Sequence, residues 1–115
     1  MQPSELAELI TKTLDENKAK DIIALNVRDL TSVTDYMVIC TAGSTRQAKA
    51  LCDKVLRICR EHHLRPLNSL DESASEWQLL DYNDVIVHIM LPDTREFYQL
   101  EKLWDKTQAI RRETE

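Results

Sequence analysis

Residues 36–59 constrain this chain more than any other stretch. Tyr36-Met37-Val38-Ile39-Cys40-Thr41 is apolar on both sides of a two-residue alternation, the pattern of a central strand covered on both faces. Ala42-Gly43 ends the run, and Ser44 with Gln47 three residues later makes an S-x-x-Q capping box, the opening of a helix. Ala48, Leu51, Cys52, Val55, Leu56 and Cys59 then form one helical stripe. A two-sided strand running straight into an amphipathic helix specifies an α/β unit, since the stripe must be buried against a sheet. The stripe also reads Cys52 and Cys59 as small buried hydrophobes.

The remaining elements follow from spacing. Leu6, Leu9, Ile10 and Leu14 predict a helix over 4–17, and Ile22 to Val27 a strand. After a polar loop at 28–35 and the central unit, Arg65-Pro66 breaks the helix and 64–70 reads as a short strand. An acidic loop, 71–76, leads to strands 77–81 and 85–90, joined through a Tyr82-Asn83 hairpin turn. Pro92 and Asp93, with Glu96 behind them, start a last helix whose inward face is Phe97, Leu100, Leu103 and Trp104. The expected fold is α/β: a single domain over 1–104, order α-β-β-α-β-β-β-α, with a mixed sheet of about five strands flanked by helices. A right-handed crossover is expected around 36–70. Residues 105–115 lose the apolar stripe and are expected to fray as a polar tail.

Composition narrows the function classes. A chain of 115 residues, 43% hydrophobic and 30% charged, is globular, and no apolar run approaches the roughly 18–20 residues of a membrane span. Its first residues carry an acid and no apolar core, so neither signal nor transit peptide is expected. Three cysteines without CxxC spacing point to a reducing, cytoplasmic setting. The single glycine, Gly43, excludes both common Gly-rich phosphate loops. The net charge of −5 conceals a polarity. Residues 44–66 hold six cations against Asp53 and Glu61, whereas 67–101 hold eight acids against Arg95 alone. Nucleic-acid binders usually gather positive charge on the working face. An acidic working face instead fits a basic protein.

No catalytic, cofactor or metal site emerges. Gly43-Ser44 at a strand-to-helix junction suggests a nucleotidyltransferase, but two-metal chemistry needs converging carboxylates. Asp81 and Asp84 lie three apart across a turn, without the i, i+2 spacing that aligns two side chains on a strand. His88 shares a strand side with Ile86 and Met90 and reads as a partly buried histidine satisfied by a neighbour. His62 and His63 end a helix and lack a clear third ligand. No G-x-S-x-G elbow is present. The candidate partner-binding residues sit on the hairpin 77–88: Trp77, Asp81, Tyr82, Asp84 and His88. Trp and Tyr are frequent hot-spot residues, and the acids carry the sign a cationic partner requires. The competing reading makes Trp77 core and the acids turn residues.

Three segments together resemble the Iojap family of ribosomal silencing factors: 32–41 (SVTDYMVICT), 84–90 (DVIVHIM) and 95–104 (REFYQLEKLW). Asp21-Ile22-Ile23-Ala24-Leu25, Ser44-Thr45-Arg46-Gln47 and Trp77 fit as well, so the likeness covers about 1–104 in the family's order, in its bacterial form. The resemblance implies a nucleotidyltransferase-like fold without the catalytic motif, and hence a protein that is not an enzyme. It implies binding to the large ribosomal subunit through ribosomal protein fourteen (uL-type), which blocks subunit joining and represses translation under nutrient limitation. Little direct nucleic-acid contact, no membrane and a possible homodimer of the free protein are further expectations. A large-subunit assembly factor and a degenerate nucleotidyltransferase are the alternatives.

Overall fold

The computed structural model describes residues 1–70, 75–104 and 109–111, with backbone alone from 104 onward. Its elements are α1 (Pro3–Glu16), β1 (Lys20–Asn26), β2 (Tyr36–Thr41), α2 (Thr45–Glu61), β3 (Trp77–Asp81), β4 (Val85–Met90), α3 (Pro92–Tyr98), a 3₁₀ turn (Leu100–Trp104) and β5 (Ala109–Arg111). The strands form one mixed sheet in the order β3-β4-β2-β1-β5. β2 and β4 are parallel and every other neighbouring pair is antiparallel. The two-sided segment found in the sequence is thus the middle strand. The chain leaves β2 through α2, reaches the sheet edge at β3, and returns beside β2 through the β3–β4 hairpin.

Local chemistry starts α2 where the sequence places it. Ser44 Oγ accepts from Gln47 N–H at 3.1 Å. The reciprocal arm reaches one residue further back than an ideal capping box, with Gln47 Oε1 accepting the Gly43 N–H at 2.6 Å. Gln47 Nε2 donates to the Lys18 carbonyl at 3.3 Å, which ties the helix start to the α1–β1 turn.

Alternation along the strands then separates two cores. On one side Ala24, Val38, Cys40, Leu80, Val87 and Ile89 pack against Leu6, Ile10 and Leu14 of α1 and Leu51, Cys52, Val55 and Cys59 of α2. All three cysteines are free and buried. Burial pushes the Cys40 thiol up to about 12 and Cys52 up to about 11, so both behave as neutral hydrophobes. On the other side a thinner cluster holds Ile23, Leu25, Val27, Ile39 and Met90, with Met37, Trp77 and Leu100 at its margin.

Three expectations need correction. Residues 64–70 form no strand. Pro66 has no N–H to give a ladder, and a side chain replaces the strand at the β3 edge. Asn68 Oδ1 accepts the Asp81 N–H and its Nδ2 donates to the Leu79 carbonyl, both at 2.9 Å, while Leu67 N–H donates to Asp81 O at 2.7 Å. The fifth strand is β5, within the segment expected to fray; Ala109, Ile110 and Arg111 pair with Leu25, Ala24 and Ile23 of β1. The last helix also stops early, because Gln99 adopts a left-handed φ of 47°. The inward stripe is thereby broken. Phe97 is 79% and Leu103 70% exposed, and of the expected face Leu100 reaches the core. The Trp104 side chain lies outside the described residues.

Core and surface positions predict contrasting mutational costs. Ile89→Ala, at a fully buried site, should destabilise by about 2–5 kcal/mol. Phe97→Ala should stay within about 0.5 kcal/mol, as surface changes do. Urea midpoints at constant m-value measure both.

Candidate functional site

The sheet side opposite α1 and α2 carries a row of aromatic rings. Alternation turns Trp77, Leu79 and Asp81 of β3 toward it, where they pair with Met90, His88 and Ile86 of β4. The Trp77 indole N–H donates to His88 Nδ1 at 3.0 Å, and the two rings lie 5.7 Å apart at 49°. Tyr98 of α3 packs on Trp77 at 4.8 Å between centroids, and Phe97 meets Tyr98 edge-on at 4.9 Å and 83°. These are favourable aromatic geometries. Leu79 is 40%, Tyr98 52% and Phe97 79% exposed, so the row ends in a water-facing apolar patch, a usual mark of an interaction surface.

His88 fixes the orientation of this row. Burial pushes its imidazole down to about 4, so it is neutral near pH 7. With Nδ1 accepting from Trp77, the neutral ring is assigned its proton on Nε2. His88 is only 8% exposed and supports the indole from beneath.

The other predicted site residues separate. Tyr82 is 6% exposed and belongs to the helix-side core, because it shares the strand side of Leu80. Its hydroxyl faces the Cys59 thiol. It is therefore no surface contact, contrary to the sequence-based expectation. Asp81 and Asp84 are half-buried at the turn. Asp81 accepts the Asn83 N–H at 2.8 Å, which supports the left-handed φ of 71° at Asn83, and Asp84 accepts from the Asn83 side chain at 3.4 Å. The structure thus brings Trp77 and His88 together, sets the two acids at the end of their hairpin, and adds Leu79, Phe97 and Tyr98. A readable signal for the additions existed. Phe97 and Tyr98 are adjacent, so one short helix cannot bury both.

Arg95 holds α3 in place, although no residue of α3 is itself buried. Its Nη1 donates to the Asp21 carbonyl at 2.6 Å and to Thr41 Oγ1 at 2.8 Å, and its Nε and Nη2 each reach Glu101 Oε2 at 3.0 Å. Asp21 offers that carbonyl at an irregularity in β1, where its φ is 51°. A cleft of about 610 Å³ lies at this brace, but its arginine is already engaged. Among the described residues, no group of three or more His, Cys, Asp or Glu side chains is placed to hold a metal ion.

Residues 1–115 match the family described as RsfS, ribosomal silencing factor during starvation. The chain belongs to the RsfS family. The ribosomal silencing factor RsfS of Haemophilus influenzae is 40% identical over 99 residues, covering 86% of this chain and 97% of that one. A crystal structure of a Chromobacterium violaceum protein superposes with a TM-score of 0.86 at 38% identity, covering 91% of this chain and 88% of the other. The mouse protein named mitochondrial assembly of ribosomal large subunit protein 1 is 32% identical over 102 residues, matching 84% of this chain and 44% of its own length. The RsfS match spans both the helix-side core and the aromatic row.

Neutral His88 gives this RsfS chain a specific acid sensitivity. Its folded value of about 4 lies below the ordinary 6.5, so the unfolded chain takes up the proton first. Its contribution is fully present above about pH 6.5 and declines as pH falls toward 4, by on the order of 3 kcal/mol in all. Urea unfolding at pH 7.0 and 4.5 should show that His88→Gln loses less stability over this interval than wild type.

Proposed function

We propose that this chain binds the large ribosomal subunit through ribosomal protein fourteen (uL-type) and thereby blocks joining of the small subunit, repressing translation when nutrients are scarce. The observation that carries the reading is the exposed aromatic face of a protein in the ribosomal silencing family. Trp77, Leu79, Phe97 and Tyr98 supply apolar contact area. Glu76, Asp93 and Glu96 are exposed around them and Asp81 and Asp84 stand at the hairpin end. That sign suits a cationic ribosomal protein and steers its approach. His88 acts beneath the contact, holding the indole in place. The action is steric, takes place in the cytoplasm and includes no catalytic step.

Co-sedimentation with separated subunits tests the reading. Wild-type protein should pellet with large subunits and not with small ones, and excess small subunits should partly overcome its block on joining, since exclusion is competitive. Equal pelleting with both subunits overturns it. A second reading, action in large-subunit assembly, is favoured by the name of the mouse relative. Accumulation of precursor subunits when the protein is absent, with normal joining of the mature ones, selects that reading.

The contact residues carry their own expectation. Trp77→Ala should lose about 2 kcal/mol or more of binding, a hot-spot cost. Asp81→Asn combined with Asp84→Asn should slow association and flatten its dependence on ionic strength. Stopped-flow mixing with large subunits across a salt series reads both effects.

A further inference from the structure

The cations of 44–66 are sorted onto one flank of the fold. Arg46, Lys54, Arg57 and Arg60 of α2 are all exposed. At 3.6 residues per turn they fall within about 120° of one another, opposite the buried stripe. From Arg46 to Arg60 they span about 21 Å at 1.5 Å per residue. Lys49, on the same flank, is tied to Asp53 at 2.8 Å. Glu61, at the C-terminal end, is the remaining acid on this helix. A row of arginines is suited to phosphate, which the planar guanidinium can grip with two parallel hydrogen bonds.

We infer that this flank of α2 is a second docking surface, and that it takes the phosphate backbone of RNA. Charge complementarity selects a polyanion. A lipid surface fits poorly, because the outward side of α2 has no large apolar residue to insert between acyl chains. An acidic protein fits poorly as well, because the same side lacks the aromatic anchors from which hot spots are built. The net charge of −5 hides this surface, because five cations of α2 outnumber Asp53 and Glu61 on the same helix while most other acids lie elsewhere in the fold. A groove of about 460 Å³ beside this flank is lined by Lys49, Asp53, Leu56 and Arg60 of α2, by Asn68 and by residues of β3. The placement on ribosomal RNA rests on the proposed function: a chain seated by its aromatic face leaves this flank, on the other side of the sheet, open to RNA.

The test uses the full chain, a fluorescein-labelled RNA hairpin and a KCl series from 25 to 200 mM. Wild type should bind, with log affinity falling linearly against log salt. Arg46→Gln, Arg57→Gln and Arg60→Gln combined should flatten that slope by about 2–3, at roughly 0.7–0.9 for each phosphate no longer neutralised. An unchanged thermal midpoint shows that the variant is folded. It should bind purified ribosomal protein fourteen as wild type does, and large subunits about tenfold more weakly at 100 mM salt. Trp77→Ala should do the reverse, retaining the RNA hairpin while losing subunits. No hairpin binding by wild type at 25 mM salt, or an unchanged slope in the triple variant, overturns the inference. So does tighter binding to phosphatidylglycerol vesicles that the triple variant loses. If wild type binds the hairpin but pellets with neither subunit, the phosphate surface stands and the ribosomal reading falls.

Discussion

This sheet has two apolar faces, and both long helices lie on the same one. β2 is buried along nearly its whole length and β4 likewise, so neither side of the sheet centre can be left to water. α1 and α2 cover one side completely. On the other, among the described residues, cover comes from α3, which contributes no buried residue, from a 3₁₀ turn that contributes Leu100, and from the edge-strand residue Trp77. A fold with this imbalance keeps a stable core while leaving apolar surface available for a partner, and the aromatic row occupies the place where cover runs out.

Polar contacts prevent that thin side from becoming a loose one. Arg95 anchors α3 to a β1 carbonyl and the Thr41 hydroxyl, and Glu101 neutralises it. A half-buried cation with three partners is well satisfied. The Trp77–His88 hydrogen bond does the same for the indole. A freely rotating tryptophan would lose entropy on binding, whereas one already held by a neutral imidazole and packed against Tyr98 loses less. Preorganisation of the surface therefore depends on the burial of His88, the same burial that disfavours its protonation.

What the sequence disclosed, and what it did not, follows from the range of each interaction. The β2–α2 unit was legible because its signals are local: alternation, a capping pair and a helical stripe, each within a few residues. The β3–β4 hairpin and the burial of Cys52 and Cys59 were legible for the same reason. The 64–70 segment misled because Asn68 replaces a ladder with its side chain, an arrangement that needs β3 beside it in space. The last helix misled because left-handed Gln99 interrupts a period that the residue types continue. At the candidate site, Trp77 stands out in the sequence by its chemistry, and the structure places it in the aromatic row. Tyr82 was misassigned because its strand side is set by the register with β4.

Charge follows the same division as cover. Had the acids of 67–101 and the cations of 44–66 been interleaved on one surface, each would have screened the other, and neither side would attract a partner of defined sign. The fold limits this by setting five cations of 44–66 on the outside of α2 against only Asp53 and Glu61 there, and exposed acids of 67–101 on α3 and the turns of the other side. Within about a Debye length, roughly 8–10 Å at physiological salt, each surface is felt largely on its own by an approaching partner. A molecule about 34 × 33 × 26 Å across is large enough to keep two such surfaces electrically distinct. An acidic chain can therefore present both a face for a basic protein and a flank for a polyanion, and its net charge reports neither.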